Sequence, residues 1–262
     1  MSNKAKIRED AMSLNPIDDA LFIKMAEDVG FCQEILRVIL EDKKLSVLSN
    51  TPQFVVKNLQ GRSCTLDLEC RLGDGREVNV EVQKADDDDH QRRMRYTGSL
   101  LTTNIADAGI TFKQVPDVIV VLISRFDIFK AGRALYHVDR IVRETGNLAD
   151  NGLREVYVNG EANDNTDAAA LMRIFTESEV YDDEKFPATS ERKRIFKTTE
   201  KGVGEMCEVI ERNRAEGRAE GKAEGRAEAI KSLMDSMRLT AEEAMRALKI
   251  PPAEYPKYLA ML

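Results

Sequence analysis

At 262 residues, of which 42% are hydrophobic, the chain carries enough apolar material for one substantial domain and an appendage, which excludes global disorder. A formal charge of -7 gives no general attraction for nucleic acid or an anionic membrane, so any nucleic-acid contact must come from a local basic patch or a bound cation. Cys32, Cys64, Cys70 and Cys207 do not cluster, and His90 and His137 are the only histidines, so zinc and haem are disfavoured and a hard, oxygen-liking metal is the one to consider.

The opening MSNKAKIRED is charged, and the longest greasy run, Val118 to Ile123, has the length of a buried strand and not of a membrane span. A soluble cytoplasmic protein with reduced thiols is expected. Asn15 reads as a helix cap with Pro16 at the first helical position and Asp18 and Asp19 in the first turn. Leu21, Met25 and Val29 form an apolar stripe, Gly30 interrupts it, and Phe31, Ile35, Val38 and Ile39 resume it in a second helix.

PQFVVKNLQG, residues 52–61, is a strand candidate, and Gly61 precedes a hairpin, LDLECRLGDGREVNVEVQK, residues 66–84. Leu66, Leu68, Cys70 and Leu72 alternate with Thr65, Asp67, Glu69 and Arg71; Val78, Val80 and Val82 alternate with Asn79, Glu81 and Gln83. A turn centred on Asp74 pairs Leu66 with Val82, Leu68 with Val80 and Asp67 with Glu81; slipping by one residue would break the apolar face, whereas a slip of two keeps it and leaves Asp67 and Glu81 on one face. Two carboxylates opposed at about 5 Å between Cβ atoms repel each other, a conflict that a divalent cation between them would remove. The competing reading is a strand face that carries charge for solubility.

Asp86 to Asp89 then lead a helix containing Arg92, Arg93 and Arg95, with Met94, Leu101 and Ile105 on its apolar side and Arg92 and Tyr96 sharing a face. VPDVIVVLISRFDIF holds a fully buried strand; ALYHVDRIV and LREVYVN are strand candidates near an edge; TDAAALMRIFTES is a helix, and KFPATSERKRIF a loop leading into a polar helix. From Gly204 the character changes: residues 214–229 repeat Arg or Lys, Ala, Glu and Gly every four residues. Each glycine costs about 1 kcal/mol in a helix interior and the i,i+4 pairs are like-charged, so this stretch is a poor helix in isolation. It reads either as a solvated spacer or as a surface for self-association, the acidic stripe of one copy meeting the basic stripe of another. Thr240 and Glu243 form a capping box before a Pro-bounded apolar end. The expected division is 1–204, 205–231 and 232–262.

The order of four blocks, DDALF, LDLEC, GDGREVNVEVQK and HQRRMRYTGSLL, resembles that of the PD-(D/E)XK nuclease-family transposases, also called recombination-promoting nucleases, from Asn15 to about Arg194. The resemblance implies an α/β restriction-endonuclease-like core, a mixed sheet flanked by helices, with a helical C-terminal tail. It implies a DNA endonuclease linked to recombination or mobile elements, with Asp67, Glu81 and Gln83 catalytic, and Mg²⁺ (or Mn²⁺) held by Asp67, Glu81 and the Val82 carbonyl. Asp19 completes the acidic patch, with Arg92, Arg95 and Tyr96 supporting.

Gln83 stands where the wider superfamily has lysine, as is usual in this branch; a glutamine orients water but brings no positive charge. Lys84 is adjacent but points to the other face if the strand continues, so the charge is expected from Arg92 or Arg95, with Gln91 also in reach. A catalytically inactive DNA-binding or regulatory protein, and an interaction module centred on the tail, are the competing functions.

Overall fold

The computed structural model describes residues 3–58 and 63–262. Alternating and continuous apolar runs build β1 (Val47–Val56), β2 (Cys64–Leu72), β3 (Glu77–Gln83), β4 (Val118–Ser124), β5 (Leu135–Val138) and β6 (Leu153–Asn159). They form a six-stranded sheet of order β1-β2-β3-β4-β6-β5. The pairs β1–β2, β2–β3 and β5–β6 are antiparallel, whereas β3–β4 and β4–β6 are parallel. The Gly73–Gly75 turn suffices for an antiparallel hairpin, with Gly75 at φ 89°, but the parallel β3–β4 pair needs a crossover, which α4 (His90–Ile105) supplies. Leu68 faces Val80 and Cys70 faces Val78, the register that the apolar parity predicts.

Two features of the hairpin differ from the expectation. β3 is an internal strand with α4 packed over its polar row, which is sealed as well: Asn79 is 0% and Glu81 1% exposed. The ladder with β2 also stops at Leu68–Val80, before it reaches Asp67 and Glu81. Leu66 joins the cluster of Met94 and Leu101 from α4 with Val120 and Leu122, whereas Cys70, of the same parity, meets Cys32 on the other layer. β2 therefore turns about its axis near Asp67. β5 lies at the edge and β6 beside it, near the edge as expected, whereas β1 starts at Val47 instead of Pro52. Leu59–Gly61 of the expected strand lie outside the described residues.

α1 (Asn3–Ser13), which has no clear apolar period in the sequence, buries Ile7 and Ala11. α2 (Asp19–Met25) begins three residues later than predicted because residues 15–18 close a turn: the Asp18 N–H donates to the Asn15 carbonyl and the Asn15 N–H to the Asp18 carboxylate, both at 2.8 Å. α3 (Val29–Ile39) is capped by Asp28, which accepts the Phe31 N–H at 2.8 Å. Gly30 sits inside its first turn, so the break falls before it. Phe22 and Phe31 pack with Phe175 of α5 (Asp167–Thr176) beneath the sheet.

The segment after Pro187 is itself a helix, α6 (Pro187–Thr198). Its Lys193 is fully buried and donates to the carbonyls of Ile174, Glu177 and Val180, satisfying the open end of α5. Burial and the neighbouring Lys197 charge pull the Lys193 pKa down to about 8. Lys197 in turn donates to the Leu14 carbonyl at 2.8 Å and to Asn15 at 3.1 Å, fixing the turn that precedes Asp19.

The chain divides into two compact units, Met1–Met206 and Cys207–Leu262, and α7 (Glu200–Met237) is one helix through the glycine repeat. In the second unit Ala223, Ala227 and Ile230 pack with Ala244 and Met245 of α8 (Ala241–Ala247), Ile250, and Tyr258 of α9 (Tyr255–Leu259). That apolar contact supports a helix the repeat alone would not sustain. No atom lies within 4 Å of a Cβ added at Gly221, so Gly221→Ala is expected to strengthen the local helix by about 1 kcal/mol, seen as slower amide exchange through residues 214–229.

The Thr240–Glu243 capping box is present in full. Thr240→Ala is expected to cost about 1 kcal/mol in the second unit's denaturant melt. Among the described residues no helix is long and apolar enough to cross a membrane.

Candidate active site

Where β2 and β3 diverge, the Asp67 side chain takes the place of the missing ladder partner. Its Oδ2 accepts the Val82 N–H at 2.9 Å. Glu81, on the sealed face of β3, accepts from Asn79 Nδ2 at 3.1 Å through Oε1 and from the Arg93 guanidinium at 3.0 Å through Oε2. Burial, then the Glu81 charge, push the Asp67 carboxyl up to about 7, against the Val82 hydrogen bond and Arg93, which pull it down. Burial also lifts Glu81 above the usual carboxylate range, with Arg93 and Asn79 opposing. The two acids thus share one field and one cation.

Asp19, first residue of α2, adds to that field: its charge raises both Asp67 and Glu81. Crowding by the surrounding protein lifts its own carboxyl although the residue as a whole keeps open surface. Gln83 ends β3 half-buried beside Ser124 of β4, and its carbonyl accepts the Arg125 N–H at 2.9 Å. Lys84 lies beyond the strand end, where it donates to Asp18, next to Asp19.

Arg92 is exposed and holds Asp89 at 3.2 Å, Arg95 and Gln91 are exposed, and the Tyr96 hydroxyl accepts from Asn58 at 3.1 Å. Arg93, and neither Arg92 nor Arg95, is therefore the arginine that reaches Glu81. The signal lay in the helix phase: His90, Met94, Thr97 and Leu101 are the buried stripe of α4, and Arg93 borders it. Asn79 was likewise passed over, as one more polar residue on a face read as wet. Glu81, Arg92, Arg93, Arg95 and Tyr96 line a cleft of about 500 Å³ together with Asp88 and Asp89.

The donor set suits a hard cation. Asp67 and Glu81 are oxygen donors on adjoining strands, and burial holds both above the usual carboxylate range, with the Glu81 charge adding to the rise at Asp67 and Arg93 offsetting part of it at each. Among the described residues no group of three or more His, Cys, Asp or Glu side chains is placed to enclose a metal. Magnesium does not require such a cage, since it keeps several waters and binds through one or two carboxylates.

Residues 27–161, which include β1 to β6, Asp67, Glu81, Gln83 and Arg93 but not Asp19, match the profile of the PD-(D/E)XK nuclease family transposase. No curated protein and no solved structure matches the chain. On the strength of that match the chain belongs to the PD-(D/E)XK nuclease family transposases.

Proposed function

We propose that the protein is a metal-dependent DNA endonuclease that hydrolyses phosphodiester bonds in recombination or the movement of mobile elements. The observation that supports it most is the Asp67–Val82 hydrogen bond, which holds a half-buried carboxylate beside the buried Glu81 where the strands part. Asp67, Glu81 and the Val82 carbonyl would hold Mg²⁺, or Mn²⁺. When bound, the ion supplies Lewis acidity toward the phosphoryl group and a nucleophile at neutral pH.

The chain's own residues do the rest. Arg93 brings the positive charge that Gln83 lacks, a role that its 3.0 Å contact with Glu81 supports. Gln83 orients water through its amide. Arg92, Arg95 and Tyr96 hold the nucleic-acid backbone along the cleft, where guanidinium groups suit phosphate oxygens. Asp19 adds negative charge at the rim, which raises the demand for a cation.

One observation favours the inactive, DNA-binding reading: the Arg93–Glu81 pair already neutralises one acid without a metal. Incubation of supercoiled and linear DNA with Mg²⁺ or Mn²⁺ separates the two. Cleavage lost in Asp67→Ala and Glu81→Ala supports the endonuclease; retarded DNA on a gel with no cleavage under either ion supports the alternative.

A further inference from the structure

The polar row of β3 does not end at Glu81. Asn79 lies two residues back and Glu77 two further, all on one face of the strand. Glu77 is 6% and Asn79 0% exposed, and Glu77 Oε2 and Asn79 Oδ1 are buried without a hydrogen-bond partner among the described residues. The Asn79 amide is oriented by Glu81, whose carboxylate can only accept, so Nδ2 faces Glu81 and Oδ1 is turned away from it, on the strand face that Glu77 shares. Across the ladder Glu69 stands opposite Asn79, and its carboxyl meets that of Glu77 on the diagonal. Arg71, opposite Glu77, approaches only the other oxygen, Oε1, at 3.5 Å, and its side chain is 61% exposed.

We propose that Glu69, Glu77 and Asn79 Oδ1 form a second cation site, for a hard divalent ion, distinct from the centre at Asp67 and Glu81. A shared proton would join the two carboxyls and leave Asn79 Oδ1 unpaired. A water molecule could donate to two of these oxygens but brings no charge, leaving the carboxyl pair to the exposed Arg71 alone, 3.5 Å from Oε1. An oxygen-liking divalent ion satisfies all three acceptors and the charge together. Residues two apart on a strand are separated by about 6.6 Å, so the ion lies well beyond the roughly 4 Å spacing of paired catalytic metals. It is structural, and it bears on the first centre through Asn79, whose other end holds Glu81.

Manganese is the probe, taken up by metal-stripped full-length protein and counted by calorimetry and by the electron paramagnetic resonance of free Mn²⁺. Wild type is expected to bind two ions, Asp67→Asn one, Glu77→Gln one, and the double variant none. If wild type binds a single ion that Asp67→Asn abolishes, the second site is overturned while the nuclease centre stands. If Asp67→Asn changes nothing and Glu77→Gln removes the only ion, the reading of the first centre fails and this one holds. Glu69→Gln, at a half-buried position, covers the case in which Glu77→Gln does not fold: it is expected to weaken the second ion at least tenfold and leave the first, and unchanged uptake of both ions overturns the site.

Discussion

Asp67→Ala and Glu81→Ala are each expected to lower divalent-dependent cleavage of supercoiled DNA by about a thousandfold. A bound metal contributes several kcal/mol of transition-state stabilisation, and about 4 kcal/mol corresponds to that factor. Asp67→Asn should lose nearly as much while keeping its side-chain shape and the contact with the Val82 N–H, because an amide oxygen lacks the charge that the ion needs. Arg93→Ala is expected to cost about a hundredfold, as loss of one preorganised charge stabiliser commonly does. Arg92→Ala, which releases only the exposed pair with Asp89, should change cleavage by a few-fold and reduce its salt dependence. Turnover that survives Asp67→Ala would remove the proposed centre; equal losses for Arg92→Ala and Arg93→Ala would remove the special place given to Arg93.

The register of β2 and β3 was legible because apolar parity and a Gly-Asp-Gly turn leave few alternatives, and Leu68–Val80 and Cys70–Val78 obey it. What alternation could not reveal was the helix laid over β3. A strand with valines on one face and Asn79, Glu81 and Gln83 on the other reads as half-wet, and only the packing of α4 over that face, with Arg93 on Glu81, seals the polar side. The same blindness hid Asn79. Arg93 was lost among three arginines because their roles depend on helix rotation, and the choice of Arg92 or Arg95 lacked a phase taken from the buried stripe of α4.

The start of α2 was misplaced for a different reason: Asn15 and Asp18 cap a turn with each other, so good capping residues marked a turn and not the helix itself. In the tail, local propensity alone weighs against a helix at residues 214–229, but the apolar packing of Ala223, Ala227 and Ile230 is tertiary and outweighs it.

Magnesium is expected to stabilise the protein strongly at high pH and hardly at all at low pH. The folded Asp67 carboxyl titrates at about 7 instead of 3.8, and Glu81 is also raised, so between those values the folded state holds protons that the unfolded state has released. Stability from this source is complete below the unfolded pKa and lost as pH rises through about 7. A shift of about three units sets an upper bound of about 4 kcal/mol on the loss at Asp67.

A cation bound to the ionised pair offsets that loss, so the rise in Tm on adding Mg²⁺ should be small near about pH 5 and reach its plateau near about pH 8. Asp67→Asn should abolish most of this dependence and be more stable than metal-free wild type above neutrality, since it carries no charge to bury. Glu77, pushed up to about 7 by burial and by Glu69, titrates in the same window, so the comparison with Asp67→Asn isolates the Asp67 share. A magnesium shift of equal size across this range, or an Asp67→Asn protein less stable than wild type at about pH 8, would contradict a strained acidic pair awaiting its ion.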